Sequence, residues 1–295
     1  MHGLNPPWFV LVLRVPRRSA DGLAAELAAL GRGVESRSVD QHVEELRAYL
    51  VGGLEQAAPM RAWAESRLME EGVDPTTCSF VIEEVEDGRW VERYRESLRP
   101  FHVGTRFTVH PRGRIETEDG REPLLLVPGR AFGTGEHATT QLCAEQLERR
   151  VRPGQAWLDL GCGTGILLLV GRALGAERLQ GVEIDPEAVE VARSVLSLNA
   201  AADRCSVRQG GIGEAAGAWD GAVCNISSTF ARMHVTELAA LPRPGGILVL
   251  SGVLQEDLAE LAGAFAAAGL GEVERRNRGP WAVLVLERAA KNQPV

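Results

Sequence analysis

Residues 156–171 read AWLDLGCGTGILLLVG, and this stretch decides the fold. Its first five residues form an apolar run, broken only by Asp159, with the length of a buried strand; the leucine-rich run after Gly165 opens a helix. Gly161, Gly163 and Gly165 fall between the two. Glycines where a strand turns into a helix let a ligand come up against the main chain, since no side chain stands in the way.

Helices and strands alternate on both sides of this turn. TTQLCAEQLERRV precedes it as a helix. RLQGVEI follows as a strand, PEAVEVARSVLSLNA as a helix, and SVRQG and WDGAVCNI as strands. The spacing then predicts one helix over TFARMHVTELAAL, a strand over GGILVLSG, a helix over LQEDLAELAGAFAAAG, and a last segment, EVERRNRGPWAVLVLER. Such alternation implies an α/β fold: a mainly parallel sheet, helices on both faces, and ligands at the carboxyl ends of the strands.

Those strand ends carry the candidate chemistry. Glu183 ends an apolar strand 22 positions after Gly161, and a carboxylate there can accept both hydrogen bonds of a ribose diol. Asp185 competes for the role, but it precedes Pro186 and suits the cap of the next helix. The glycines are spaced G-x-G-x-G and not G-x-G-x-x-G, and Asp159 just ahead of them would repel a pyrophosphate and welcome a cation. The combination resembles the class I methyltransferase signature for S-adenosylmethionine, whose sulfonium and amino groups are positive. At the end of WDGAVCN stands Asn225. An Asn there is an ordinary turn former, yet its amide oxygen, with the carbonyls after it, can also accept hydrogen bonds from an amine and aim the nitrogen lone pair. Amine methylation needs a neutral nucleophile held in line more than it needs a strong base.

The first 95 residues follow another pattern. WFVLVLRV reads as a strand, ADGLAAELAALG as a helix, VESRSVDQHVEELRAYLV as two strands around a turn, LEQAAPMRAWAESRLMEEG as a helix, and TCSFVIEEVE as a strand. The order βαββαβ is that of a ferredoxin-like sheet covered by helices on one face. The expected division is a ferredoxin-like domain over 1–95, a connector over 96–130 holding two or three strands, and a Rossmann-like methyltransferase domain over 131–295.

Residues 131–140, AFGTGEHATT, supply a more specific signal. They hold every fixed position of the pattern FGTG-x-H-x-T-T: Phe132, Gly133, Thr134, Gly135, His137, Thr139 and Thr140. Together with LDLGCGTG, VCNI, PGGILVLSGVL, GPWAVLVLER and the linker DGRWVERYRESLRPFHVG, the chain resembles the ribosomal protein L11 methyltransferase family over nearly its whole length. The resemblance implies that Phe132 helps to close the pocket, that Thr139 and Thr140 border the cofactor, and that Gly161, Glu183 and Asn225 line it. It implies S-adenosylmethionine as methyl donor, amino groups of a large-subunit ribosomal protein as acceptors, and an N-terminal domain that recognises that protein. His137 has no second His or Cys at ligand spacing, so no metal is expected, and the ring is read as fixing the loop by hydrogen bonds. Three departures stand out: Glu183 where Asp is usual, no acid in VRQGGIGEA at the place many class I enzymes carry one near adenine, and polar NISSTFAR where the family runs Asn-Ile-Leu.

Bulk properties narrow the class of function. No apolar run reaches the roughly 18 to 20 residues of a membrane span, and the start of the chain reads as a strand and not a signal peptide. The five cysteines are scattered and never in a ligand spacing, which suits a reducing cytoplasm and implies no zinc. A formal net charge of −8 opposes wrapping of nucleic acid phosphates. Residues 1–96 hold 17 Asp and Glu against 11 Arg, a surplus that accommodates a basic protein partner. A monomer is expected. Two other functions compete: lysine methylation on a different protein, and a non-catalytic nucleoside-binding regulator.

Overall fold

Leu11, Leu13 and Val15 alternate along one strand and are all but fully buried, the period-two pattern of a strand with a core face. In the computed structural model, which describes residues 8–30, 34–51, 56–84, 99–111, 113–115, 120–126 and 135–290, they lie on β1 (Trp8–Pro16). The chain forms two units, Met1–Ser97 and Leu98–Val295.

In the first unit β1 leads into α1 (Arg17–Leu30), β2 (Val34–Ser38), β3 (Val43–Val51), α2 (Ala57–Glu70) and β4 (Ser79–Glu84). The sheet order is β2-β3-β1-β4, antiparallel throughout. Leu23 and Leu27 of α1 and Ala64 and Leu68 of α2 share one buried cluster with the β1 row and with Leu46, Ala48 and Leu50 of β3.

The second unit opens with three short strands, β5 (Phe101–Val103), β6 (Phe107–His110) and β7 (Glu122–Leu125), forming a sheet of their own. Val103, Phe107, Val109 and Leu124 enter the same buried cluster as Leu142 and Leu147 of α3 (Ala138–Arg150). Polar ties reinforce this packing. The Glu148 carboxylate accepts from the Thr105 N–H and hydroxyl and from the Arg106 N–H at 2.7–2.9 Å. Asn199 accepts from the Leu125 N–H at 2.9 Å and donates to the Leu125 carbonyl at 2.7 Å.

Beyond α3 the chain runs β8 (Ala156–Leu160), α4 (Ile166–Ala173), β9 (Arg178–Glu183), α5 (Pro186–Leu198), β10 (Cys205–Gln209), β11 (Trp219–Asn225), α6 (Ser228–Met233), α7 (Val235–Ala240), β12 (Pro242–Leu254), α8 (Leu258–Ala267), β13 (Leu270–Arg278) and β14 (Trp281–Arg288). The seven strands take the order β10-β9-β8-β11-β12-β14-β13. From β10 to β12 all neighbours are parallel, while β14 is antiparallel to both β12 and β13. Its reversal follows from the two-residue turn Gly279–Pro280: strands joined so tightly can only run antiparallel.

One expected element is two. TFARMHVTELAAL is broken at His234, whose φ of −122° and ψ of 27° leave the helical region. The first piece is held to the start of α8, where Ser228 donates to Asp257 and Arg232 pairs with Asp257 and Glu260. The second turns Leu238 and Ala239 into the core beneath β12.

Candidate active site

Successive strand residues face opposite sides of a sheet, and this sorts the site. Leu158 and Leu160 of β8 join the cluster under α7 and α8, whereas Trp157 joins the one under α3 and α4. By the same alternation Asp159, Glu183 and Asn225 belong to the α3 face. The chain leaves β8 toward β9 and β10 on one side and returns to β11 and β12 on the other, so β8 and β11 flank the topological switch point where α/β sheets hold ligands. Val223 sits opposite Asp159 in the ladder, with Asn225 two residues on.

The glycine turn is built by main-chain bonds. Gly161 N–H donates to the Val182 carbonyl at 2.8 Å, and Gly165 N–H to the Cys162 carbonyl at 2.8 Å. Gly161, Gly163 and Gly165 have φ of 74°, 51° and 79°, the left-handed region that disfavours any side chain. Gly165 caps α4 from that conformation.

Glu183 is tied to this turn directly. One carboxylate oxygen accepts from the Gly163 N–H at 3.0 Å, and the other from the N–H groups of Ile184 and Asp185 at 2.8 and 3.1 Å. The oxygen bonded to Gly163 keeps a lone pair for a further donor, while the other already accepts twice. Asp185 is the N-cap of α5, accepting from the Glu187 N–H at 2.9 Å, with Pro186 in the first turn.

Asp159 is 3% exposed, and neither of its carboxylate oxygens has a hydrogen-bond partner. Burial, and then the Glu183 carboxylate, push its pKa up to about 7. The buried amide oxygen of Asn225 is likewise without a partner. Native interiors leave few such atoms unpaired, and two residues carry three of them at one end of one sheet. Buried thiols surround the acid: Cys143, Cys162 and Cys224 are each pushed up by burial first and by Asp159 next. Cys162 lies within the turn itself, packed so closely over β9 that a Cβ on Gly181 would come within 2.7 Å of its sulfur.

Thr139 and Thr140 occupy the first turn of α3 and are both buried. His137 is the N-cap of that helix: its Nδ1 accepts from the Thr139 N–H at 3.4 Å and pairs with the Thr139 hydroxyl at 2.8 Å. Its ring meets Trp281 edge-on, with centroids 5.0 Å apart. No group of His, Cys, Asp and Glu able to hold a metal occurs among the described residues. Phe132, Gly133 and Thr134 lie outside the described residues; Glu136 is exposed.

Several contributors escape sequence reasoning. Gln141 donates from one buried amide to the carbonyls of His102 and Gly135, both at 2.8 Å, and accepts from the Gly104 N–H at 3.1 Å. It thus joins the loop ahead of α3 to the β5–β6 turn. In the polar NISS stretch Ser227 caps α6 through the Phe230 N–H. Gly252 forms a bulge in β12, where the pairing with β14 shifts between Ser251 and Val253. Past it, β12 opens onto a cleft of about 480 Å³ lined by Leu254, Gln255, Glu256 and Pro280. Only the glycine in LSG hints at the bulge in advance.

The family model and the sequence relatives agree on one family. A family model for ribosomal protein L11 methyltransferase matches residues 22–289. The ribosomal protein L11 methyltransferase of Burkholderia mallei is 36% identical over 277 residues, 87% of this chain and 90% of that protein. The protein of the same name from Ralstonia nicotianae is 36% identical over 278 residues, 87% of this chain and 91% of its own length. The crystal structure of ribosomal protein L11 methylase from Lactobacillus delbrueckii subsp. bulgaricus superposes with a TM-score of 0.60 at 22% identity, covering 65% of this chain and 100% of that one. That last likeness concerns the fold.

Proposed function

The chain belongs to the ribosomal protein L11 methyltransferase family and is a methyltransferase; we propose that it moves methyl groups from S-adenosylmethionine to amino groups, lysine side chains or N-terminus, of ribosomal protein L11. The observation that carries this reading is the pair Asp159 and Asn225, whose buried oxygens stand unpartnered at the switch point. One is an acid suited to a cation, the other a neutral acceptor suited to an amine.

The residues present fit the cofactor. When bound, S-adenosylmethionine supplies a methyl carbon made electrophilic by its sulfonium. Asp159 receives the cofactor's positive amino group, and the cation stabilises the carboxylate that burial disfavours. Gly161, Gly163 and Gly165 offer main chain without side chains, and Glu183, after binding three N–H groups, keeps a lone pair on the oxygen nearest the turn for a ribose hydroxyl. Thr139 and Thr140 border the site, and Phe132 is assigned to its closure. Asn225 Oδ1 and the Ile226 carbonyl accept the N–H groups of a neutral amine, which leaves its lone pair to point at the methyl carbon. Holding the pair in line supplies the acceleration. The amine loses its proton to solvent before it binds.

The cleft beyond Gly252 opens at the same end of β12 and gives the amine-bearing chain an approach. The first unit, whose element order and β2-β3-β1-β4 sheet support a ferredoxin-like reading, recognises the protein substrate through its acidic surplus. The protein acts as a monomer on a basic protein and not on nucleic acid. Its five free cysteines suit the cytoplasm, and no helix among the described residues is long and apolar enough to cross a membrane.

Intact-mass analysis of purified ribosomal protein L11, incubated with the protein and S-adenosylmethionine, tests the reading: the mass should rise by whole methylene increments. Cofactor binding by calorimetry without any increment would move the activity to another substrate. Absence of cofactor binding would remove the site.

A further inference from the structure

Ile226, the residue after Asn225, is caught between two glycines, one just past β8 and one on β12, the strands that flank β11. A Cβ on Gly161, just past β8, would lie 3.0 Å from Ile226 Cγ1 and 3.1 Å from its Cδ1. A Cβ on Gly252 of β12 would lie 2.5, 2.8 and 3.0 Å from the carbonyl oxygen, carbonyl carbon and nitrogen of Ile226. The first encounter is with the end of a side chain, which can turn away. The second is with main chain, which cannot retreat without carrying Asn225 along.

The β12 side is equally unyielding. Ser251 pairs with Asn225 across the ladder, is fully buried, and donates to the Ala282 carbonyl at 2.9 Å. Gly252 has a φ of 76°, so the bulge itself depends on the residue having no Cβ.

Resting on the transfer reading above, we propose that Gly252 is a positioning residue for methyl transfer. By withholding a side chain it lets the Asn225–Ile226 main chain settle where Asn225 Oδ1 and the Ile226 carbonyl meet the amine. Ile226, leaning on Gly161, ties that position to the turn that holds the cofactor. To restore ordinary contact, a methyl group at 252 must drive the Ile226 carbonyl back by about 1 Å, a displacement that can cost an enzyme roughly a hundredfold in rate.

The test compares Gly252→Ala with Gly245→Ala. Gly245 lies on the same strand with a φ of 78°, and a Cβ there meets nothing within 4 Å. Both variants carry the same backbone strain, and Gly252→Ala, which must also displace the Ile226 main chain, should melt lower than Gly245→Ala. Both should bind S-adenosylmethionine within about threefold of wild type, judged by calorimetry. Only Gly252→Ala should lose turnover on ribosomal protein L11, by roughly a hundredfold in kcat with KM little changed. Turnover of Gly252→Ala within threefold of Gly245→Ala overturns the proposal, as does a loss of cofactor affinity in step with kcat. A wild-type protein that transfers no methyl group overturns the functional reading and this proposal with it. If Gly252→Ala does not fold, Ile226→Ala asks the question from the other side: kcat should fall about tenfold with cofactor affinity kept, and an unchanged kcat overturns the proposal.

Discussion

Whenever it is ionised, Asp159 destabilises the ligand-free protein, because its pKa is raised from 3.8 to about 7 by burial and by Glu183. Between those two values the folded state keeps a proton that the unfolded chain has released. Stability is therefore full below about pH 4 and falls as pH rises toward 7, by on the order of 4 kcal/mol in all. Asp159→Asn should melt well above the wild type at pH 8 and close to it at pH 4. The same variant should lose cofactor affinity by roughly tenfold to a hundredfold, the worth of one hydrogen bond to a charge. In the wild type that affinity should drop about tenfold per unit below pH 7, since a cation needs the ionised acid. Scanning calorimetry at both pH values and titration with S-adenosylmethionine check this; a variant that melts lower at pH 8 would refute it. Glu183 yields a graded prediction. Glu183→Ala should weaken cofactor binding by about 1 to 3 kcal/mol. Glu183→Asp should lose less, keeping a carboxylate for the ribose while its shorter arm gives up the Gly163 N–H. Equal affinity in the alanine variant would move the ribose contact elsewhere.

Helix α3 shows what a sequence reveals at the scale of an element and what it withholds. Apolar spacing marks its extent, and a lone histidine ahead of it is legible as a loop-fixing residue. The structure gives that histidine a defined place as N-cap through the Thr139 N–H. His137→Ala should cost about 1 kcal/mol of stability, and His137→Asn should recover most of it because Asn is a good cap. Thermal melts of the two decide; equal losses would deny the cap. The ends of β8, β9 and β11 were readable because a buried strand, a glycine turn and a helix start each follow local rules. Gln141 was not, because its three partners, His102, Gly104 and Gly135, are fixed by how the β5–β6 turn packs on α3. The break at His234 was hidden for the same reason: the helical period continues through it, and only the tethers to Asp257 and the packing of Leu238 part the two pieces. The reversed β14 follows from a Gly-Pro turn that was visible, but no pattern in the sequence says that the returning strand slots between β12 and β13.

At the scale of the molecule, strands β5 to β7 settle where a minimal methyltransferase fragment should begin. Val103, Phe107 and Val109 are fully buried in the second unit's cluster, so a fragment starting within them would expose a core. A fragment of residues 98–295 should fold and bind S-adenosylmethionine as the full chain does. If the acidic first unit recognises a basic protein, that fragment should lose turnover on intact ribosomal protein L11 at least tenfold more than on a short amine-bearing peptide. Equal turnover by the fragment and the full chain on both would remove the recognition role. The cysteines allow one more experiment on the whole protein. Cys78 is half-buried, while Cys143, Cys162, Cys205 and Cys224 are buried, and only Cys162 lies inside the glycine turn. An alkylating reagent can reach its sulfur only while the turn stands open, so the rate at which that one peptide gains a label is a stopwatch on the opening. Ligand that holds the turn shut slows the watch in proportion to its occupancy.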